Sequence, residues 1–230
     1  SFSALIKDSL ISMSRWFVGS SNISKFGLYN QTNWFDYKWA GIEYLLQVIS
    51  FGNIGLQDLS YAFFQAPKLS TVPKYLPQTV NNFEFTFYGC EIFNDSNIIS
   101  WNVSNVNRMT GMFFSCQNFN QDISIWDVSK VQDMSDMFSE SATFNQDLSL
   151  WFTKIASTNN IVFVNRMFQR AKNFNKNVGT WNFTKIGNAT DMISYCGYTY
   201  LEYGEFIKSL ANNNTLPILL SFGFTGFIRL

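Results

Sequence analysis

Apolar and polar positions recur in a fixed order through the middle of this chain. In residues 116–141 the apolar set is Phe119, Ile123, Ile125, Trp126, Val128, Val131, Met134, Met137 and Phe138. One repeat earlier, Val103, Val106, Met109, Met112 and Phe113 precede Cys116 at the offsets by which Val128, Val131, Met134, Met137 and Phe138 precede Ser141. Phe183, Ile186, Ala189, Met192 and Ile193 precede Cys196 in the same way. Phe-Asn pairs begin at Phe93, Phe119, Phe144 and Phe174, and each is followed by a tryptophan: Trp101, Trp126, Trp151 and Trp181. A weaker form extends upstream, where Leu59, Ala62, Phe63, Ala66 and Leu69 match Met134, Met137, Phe138, Ser141 and Phe144. Self-similarity at a period of roughly 20–50 residues marks stacked repeats, because one such unit cannot bury its apolar face alone.

Within each unit, the alternation Asp122-Ile123-Ser124-Ile125 predicts a short strand. Apolar spacings of three and four over Met134–Ser141 predict a helical or 3₁₀ turn. The fold class expected is therefore a β-containing solenoid of leucine-rich-repeat type, with about six coils and a cap at each end. The expected divisions are an aromatic-rich segment over 1–41, the repeats over 42–198 and a C-terminal cap over 199–230. In the last, Leu201, Phe206 and Leu210 predict a helix over Tyr200–Ala211, stopped by Asn212–Asn214, with apolar strand over Leu216–Phe227.

The phrase Phe-Asn-Gln-Asp-Ile-Ser-Ile-Trp-Asp-Val-Ser-Lys-Val-Gln-Asp-Met-Ser-Asp-Met-Phe (Phe119–Phe138) resembles the BspA-like leucine-rich-repeat surface proteins, in the branch named for mycoplasma lipoprotein-associated repeats. Leu69–Val80 resembles the shorter, proline-bearing coils of the same superfamily. The resemblance spans roughly residues 50–198 and implies a solenoid used for adhesion or binding at a cell surface, without an active site. It transfers no ligand residue, because the shared positions are framework.

Composition narrows the chemistry. Sixteen basic residues balance sixteen acidic ones, which argues against a nucleic-acid or anionic-membrane surface built from clustered Lys and Arg. No apolar run is long enough for a transmembrane helix. The opening Ser1–Ser9 lacks the basic and apolar regions of a signal peptide, and removal of a leader or anchor before Ser1 stays open. With no histidine, no phosphate-binding glycine loop and no metal-ligand spacing, the chain is expected to be non-enzymatic, with no cofactor and no metal. Cys90, Cys116 and Cys196 share one repeat position with Ala66, Ser141 and Ala171, so they read as small buried side chains. Asp122 and Asp147 align, but the next repeat has Asn177, a poor basis for a calcium ladder. Asn-X-Ser/Thr triplets begin at Asn22, Asn30, Asn94, Asn102, Asn182, Asn188 and Asn213, a weak signal in an Asn-rich chain.

Two departures from the repeat single out contact residues. The Trp151–Trp181 interval carries five extra residues, expected to bulge around Ser157–Val164 and present Ile161, Val162 and Phe163 to a partner, or to repack them on the stack. Residues 1–41 hold Trp16, Phe17, Trp34, Phe35 and Trp39, which suit either capping or docking onto a larger body. The expectation is a surface-displayed interaction or adhesion protein with a protein or glycan partner, at the cell surface or outside the cell. The alternative is a structural component of a large assembly such as a virion.

Overall fold

The fold follows from how one repeat disposes of its backbone amides. The computed structural model describes residues 41–51 and 55–215. Trp16, Phe17, Trp34, Phe35, Trp39 and the expected strand over Leu216–Phe227 lie outside those residues.

Along Met134–Ser141 the amides alternate between two kinds of partner. Those of Met134, Asp136, Phe138 and Glu140 donate to carbonyls of Phe163, Asn165, Met167 and Gln169 in the next repeat. Those of Met137, Ser139 and Ser141 donate three residues back, to Met134, Asp136 and Phe138. The expected helical turn is thus a chain of single turns. A helix is prevented because Asp136 and Glu140 adopt left-handed backbone, with φ of 59° and 61°. The same two positions are left-handed in every repeat: Tyr61 and Gln65, Phe85 and Gly89, Gly111 and Ser115, Arg166 and Arg170, Asp191 and Tyr195. An L residue in this region costs roughly 1–2 kcal/mol, and it is held there by the amide bonds to the neighbouring repeat.

Extended contact between repeats is short and parallel. Single bridges link Asp58 to Asn82, Asn82 to Arg108, Arg108 to Asp133 and Asp133 to Phe163. Among the described residues only β1 (Val162–Phe163) and β2 (Ile186–Asn188) form a named strand pair, also parallel. The strand expected at Asp122–Ile125 is not there. Asp122 Oδ1 accepts the Ser124 amide at 3.1 Å and the Trp126 amide donates to Ile123 O, so the segment turns. Ile123 points inward as expected, but Ile125 is 64% exposed.

Two α-helices and three short 3₁₀ turns (Ile42–Tyr44, Ser96–Ser100 and Val178–Thr180) complete the described elements. The five extra residues do not bulge; they are absorbed by α1 (Ser149–Ala156), which buries Trp151, Phe152 and Ile155. The C-terminal α2 (Tyr200–Ala211) has the expected bounds and begins with a capping box between Thr199 and Glu202. Its inward face differs from expectation: Phe206 is buried and Tyr203 and Leu210 pack on the core, while Leu201 is 84% exposed. Five residues separate Leu201 from Phe206, a rotation of roughly 140° at 3.6 residues per turn, which places them on different sides.

Helix and strand are therefore minor, and a large buried aromatic core carries the compact domain. Phe87, Phe113, Phe138 and Phe168 stack in series at centroid distances of 5.5, 5.7 and 5.7 Å. Phe93, Phe119, Phe144 and Phe174 form a second series at 6.0, 6.0 and 6.4 Å. The indole N–H groups of Trp101, Trp126 and Trp151 donate to Pro73 O, Ile98 O and Ile123 O of the preceding repeat. Trp126 and Trp151 stack at 6.2 Å. Trp181 is buried but tilted against Phe152 of α1, at 4.6 Å and 45°, so the helix interrupts that column.

Candidate interaction surface

The thiols of Cys90 and Cys116 and the carboxylates that close the turns are committed to structure. Cys90 Sγ donates to Phe63 O at 3.1 Å and Cys116 Sγ to Phe87 O at 2.8 Å, as Ser141 Oγ does to Phe113 O. The small position thus carries a hydrogen bond to the preceding repeat as well as fitting a tight space. Burial pushes the thiols of Cys90 and Cys116 well up from their ordinary range, and that of the half-buried Cys196 up to about 11. Such thiols are protonated and poorly nucleophilic. Asp95, Asp122, Asp147 and Asn177 each accept the amide two residues on, closing a turn in each repeat.

The Phe-Asn asparagines bond backbone, as turn asparagines do, but the backbone belongs to the next repeat. The amides of Asn120, Asn145 and Asn175 donate to Oδ1 of Asn94, Asn120 and Asn145. Asn175 Nδ2 then donates to Glu202 Oε1, which ties α2 to the end of the ladder.

The charged side chains on the turn chain pair with one another. Arg166 grips Asp136 with two hydrogen bonds of 2.8 and 2.7 Å, and the side-chain bond to Asp136 raises its pKa. Arg170 reaches Glu140 at 3.2 Å and lies 5.9 Å from the Tyr195 ring centre. Exposed pairs of this kind contribute about 0–1 kcal/mol each.

Of the insertion residues singled out by the sequence, Val162 is corrected. It is 1% exposed, pairs with Ile186 and belongs to the core, because α1 absorbs the extra residues and returns the chain to the parallel ladder. Ile161 and Phe163 remain outside, 51% and 44% exposed. Both lean over Gly187, where an added Cβ would lie 2.5 Å from Ile161 Cγ2 and 3.3 Å from Phe163 Cε1. At the repeat position of Phe163, Asp58, Asn82, Asp133 and Asn188 close turns with their side chains. An aromatic ring there has no such duty.

A second apolar feature was not foreseen. Tyr75, Ile125 and Leu150 are 79%, 64% and 54% exposed, and each immediately precedes a residue of the tryptophan register: Leu76, Trp126 and Trp151. Ser100 occupies the same register before Trp101 and donates to Lys74 O. Ile125 and Leu150 fall in successive repeats, whereas Ser100 between Tyr75 and Ile125 and Thr180 before Trp181 keep the same register polar. The signal for this stripe is the three-residue step from Ile123 to Trp126: with both ends inward, the two residues between them, Ser124 and Ile125, turn outward.

Residues 57–165 and 81–202 each match the model of a family described as "Mycoplasma protein of unknown function, DUF285". No curated protein and no solved structure matches the chain.

Proposed function

The chain belongs to the DUF285 family, and on that premise we propose that it is a non-enzymatic interaction protein, a BspA-like leucine-rich-repeat solenoid that offers its outer side chains to a protein partner at a surface. The observation that carries this reading is the register of Tyr75, Ile125 and Leu150. The stack does not need these side chains for cohesion, yet they recur at multiples of one repeat and face solvent. Ordered exposed apolar surface of this sort marks contact sites. Burying an aliphatic side chain completely stabilises by about 1.5–3 kcal/mol, so covering the exposed parts of Ile125 and Leu150 together supplies roughly 2–3 kcal/mol to a complex. Ile161 and Phe163 form a second contact patch in this reading.

The test is adhesion of beads coated with the purified chain to cultured cells and to immobilised extracellular-matrix protein. Adhesion is expected, with a loss of about tenfold in apparent affinity for Ile125→Asp combined with Leu150→Asp, and a smaller loss for Phe163→Ser. Melting temperatures are expected to stay near that of the parent. Equal adhesion by parent and variants would defeat the proposal. Insolubility relieved only by co-assembly into a particle would favour the alternative, a structural component of a large assembly.

A further inference from the structure

One repeat lacks its tryptophan. Leu76 lies 25 residues before Trp101 and takes the buried place that indoles fill in later repeats. Pro73 and Pro77 on either side of it lack amide donors and have fixed φ angles. An open cleft of about 540 Å³ lies between Pro73–Thr79 and Ile49–Phe51. Its volume lies within the roughly 300–1,000 Å³ of small-ligand sites. Phe51 and Leu76 are its buried apolar lining.

The wall bearing the two prolines is held from behind by the next repeat. Trp101 Nε1 donates to Pro73 O at 2.8 Å, Ser100 Oγ to Lys74 O at 3.1 Å, and Asn105 Nδ2 to Gln78 O at 3.0 Å. From this anchored wall Tyr75 projects 79% exposed, with the Lys74 ammonium 6.0 Å from its ring centre. Among the described residues no Asp or Glu lines the cleft and no carboxylate pairs with Lys74. The cleft therefore offers an aromatic ring with a cation over it and, among the described residues, no anion to compete.

We propose that this cleft binds a carboxylate-bearing sugar of the uronic or sialic acid type, with its ring on Tyr75 and its carboxylate on Lys74. The electron-rich face of an aromatic ring attracts the weakly positive C–H groups of a pyranose. A carboxylate beside an ammonium gains a charge-assisted hydrogen bond. An open cleft leaves the remaining hydroxyls in water, which suits a sugar; a lipid or aromatic ligand needs most of its surface covered. The inference goes beyond the protein-contact reading and shares only Tyr75 with it; Lys74→Gln tests the sugar alone and Ile125→Asp with Leu150→Asp tests the protein contact alone, so either can fail by itself.

The experiment uses the full chain, with methyl glucuronide as probe and methyl glucoside, acetate and an acidic peptide as comparisons, read by saturation-transfer NMR and calorimetry. Glucuronide is expected to bind at least about tenfold more tightly than glucoside. Lys74→Gln is expected to bring the two sugars level, and Tyr75→Ala to weaken both by about tenfold, with melting temperature unchanged. The Ile125→Asp and Leu150→Asp variant is expected to retain glucuronide binding in full. Unchanged glucuronide affinity in both cleft variants would overturn the proposal. So would acetate competing as well as the glucuronide, or an acidic peptide occupying the cleft more tightly than the sugar.

Discussion

Cys116 shows how much a single position owes to its neighbour along the stack. It is fully buried, and its thiol donates to Phe87 O, the task that Ser141 performs toward Phe113 O one repeat on. Cys116→Ser is therefore expected to unfold within about 1 kcal/mol of the parent in urea, whereas Cys116→Val, which adds bulk and loses the donor, costs about 2–4 kcal/mol. A thiol reagent at neutral pH is expected to modify half-buried Cys196 first and to reach Cys90 and Cys116 only on unfolding. Gly111 gives a second residue-scale test. Its φ is 58°, and an added Cβ would lie 2.1 Å from Phe85 Cε1. Gly111→Ala is expected to destabilise by about 1–3 kcal/mol and to shift the Phe85 ring resonances. The smallness of the Cys116 position was legible in the column Ala, Cys, Cys, Ser, Ala, Cys. Its donor role was not, because the accepting carbonyl lies in another repeat and the register between repeats is not written in either one.

At the scale of elements, local signals were read well where a side chain caps its own helix and poorly where the neighbouring repeat decides. The bounds of α2 were legible because Asn212–Asn214 stop it. Glu202 holds the start of α2: one carboxylate oxygen accepts the Thr199 amide at 2.7 Å and the other accepts Asn175 Nδ2 at 2.7 Å. The Thr199 amide and hydroxyl, with Asn175, lower its pKa below the usual glutamate value. A depressed folded pKa means that this contribution is complete above the unfolded value near 4.5 and is lost as pH falls through the lower folded one. Acidification below about pH 4 is expected to speed amide exchange in α2 ahead of the aromatic core. In Glu202→Gln that acid dependence is expected to disappear. The bulge expected around Ser157–Val164 rests on the tendency of insertions to loop out, and α1, which lies just before it, carries no capping signal in the sequence. The spacing of Trp151, Phe152 and Ile155 was the available sign that one helical face was being buried.

For the whole molecule, the repeating offsets showed which side chains lie inside, since Phe, Met and Trp columns persist from repeat to repeat. They did not show which way the residues between those columns face. Ile125 belongs to the apolar set by pattern but lies outside, because the Asp122 turn breaks the pleat that simple alternation assumes. The exposed stripe and the cleft beside Leu76 were hidden for that reason. The proposed solenoid rests on contacts between equivalent residues of successive repeats, and nuclear Overhauser contacts between assigned Phe rings test it most directly. Cross-peaks are expected in the order Phe87, Phe113, Phe138, Phe168 and again in the order Phe93, Phe119, Phe144, Phe174, matching centroid separations of 5.5–5.7 Å and 6.0–6.4 Å. Contacts confined to rings within one repeat, such as Phe113 with Phe119, and missing between successive repeats, would contradict the account.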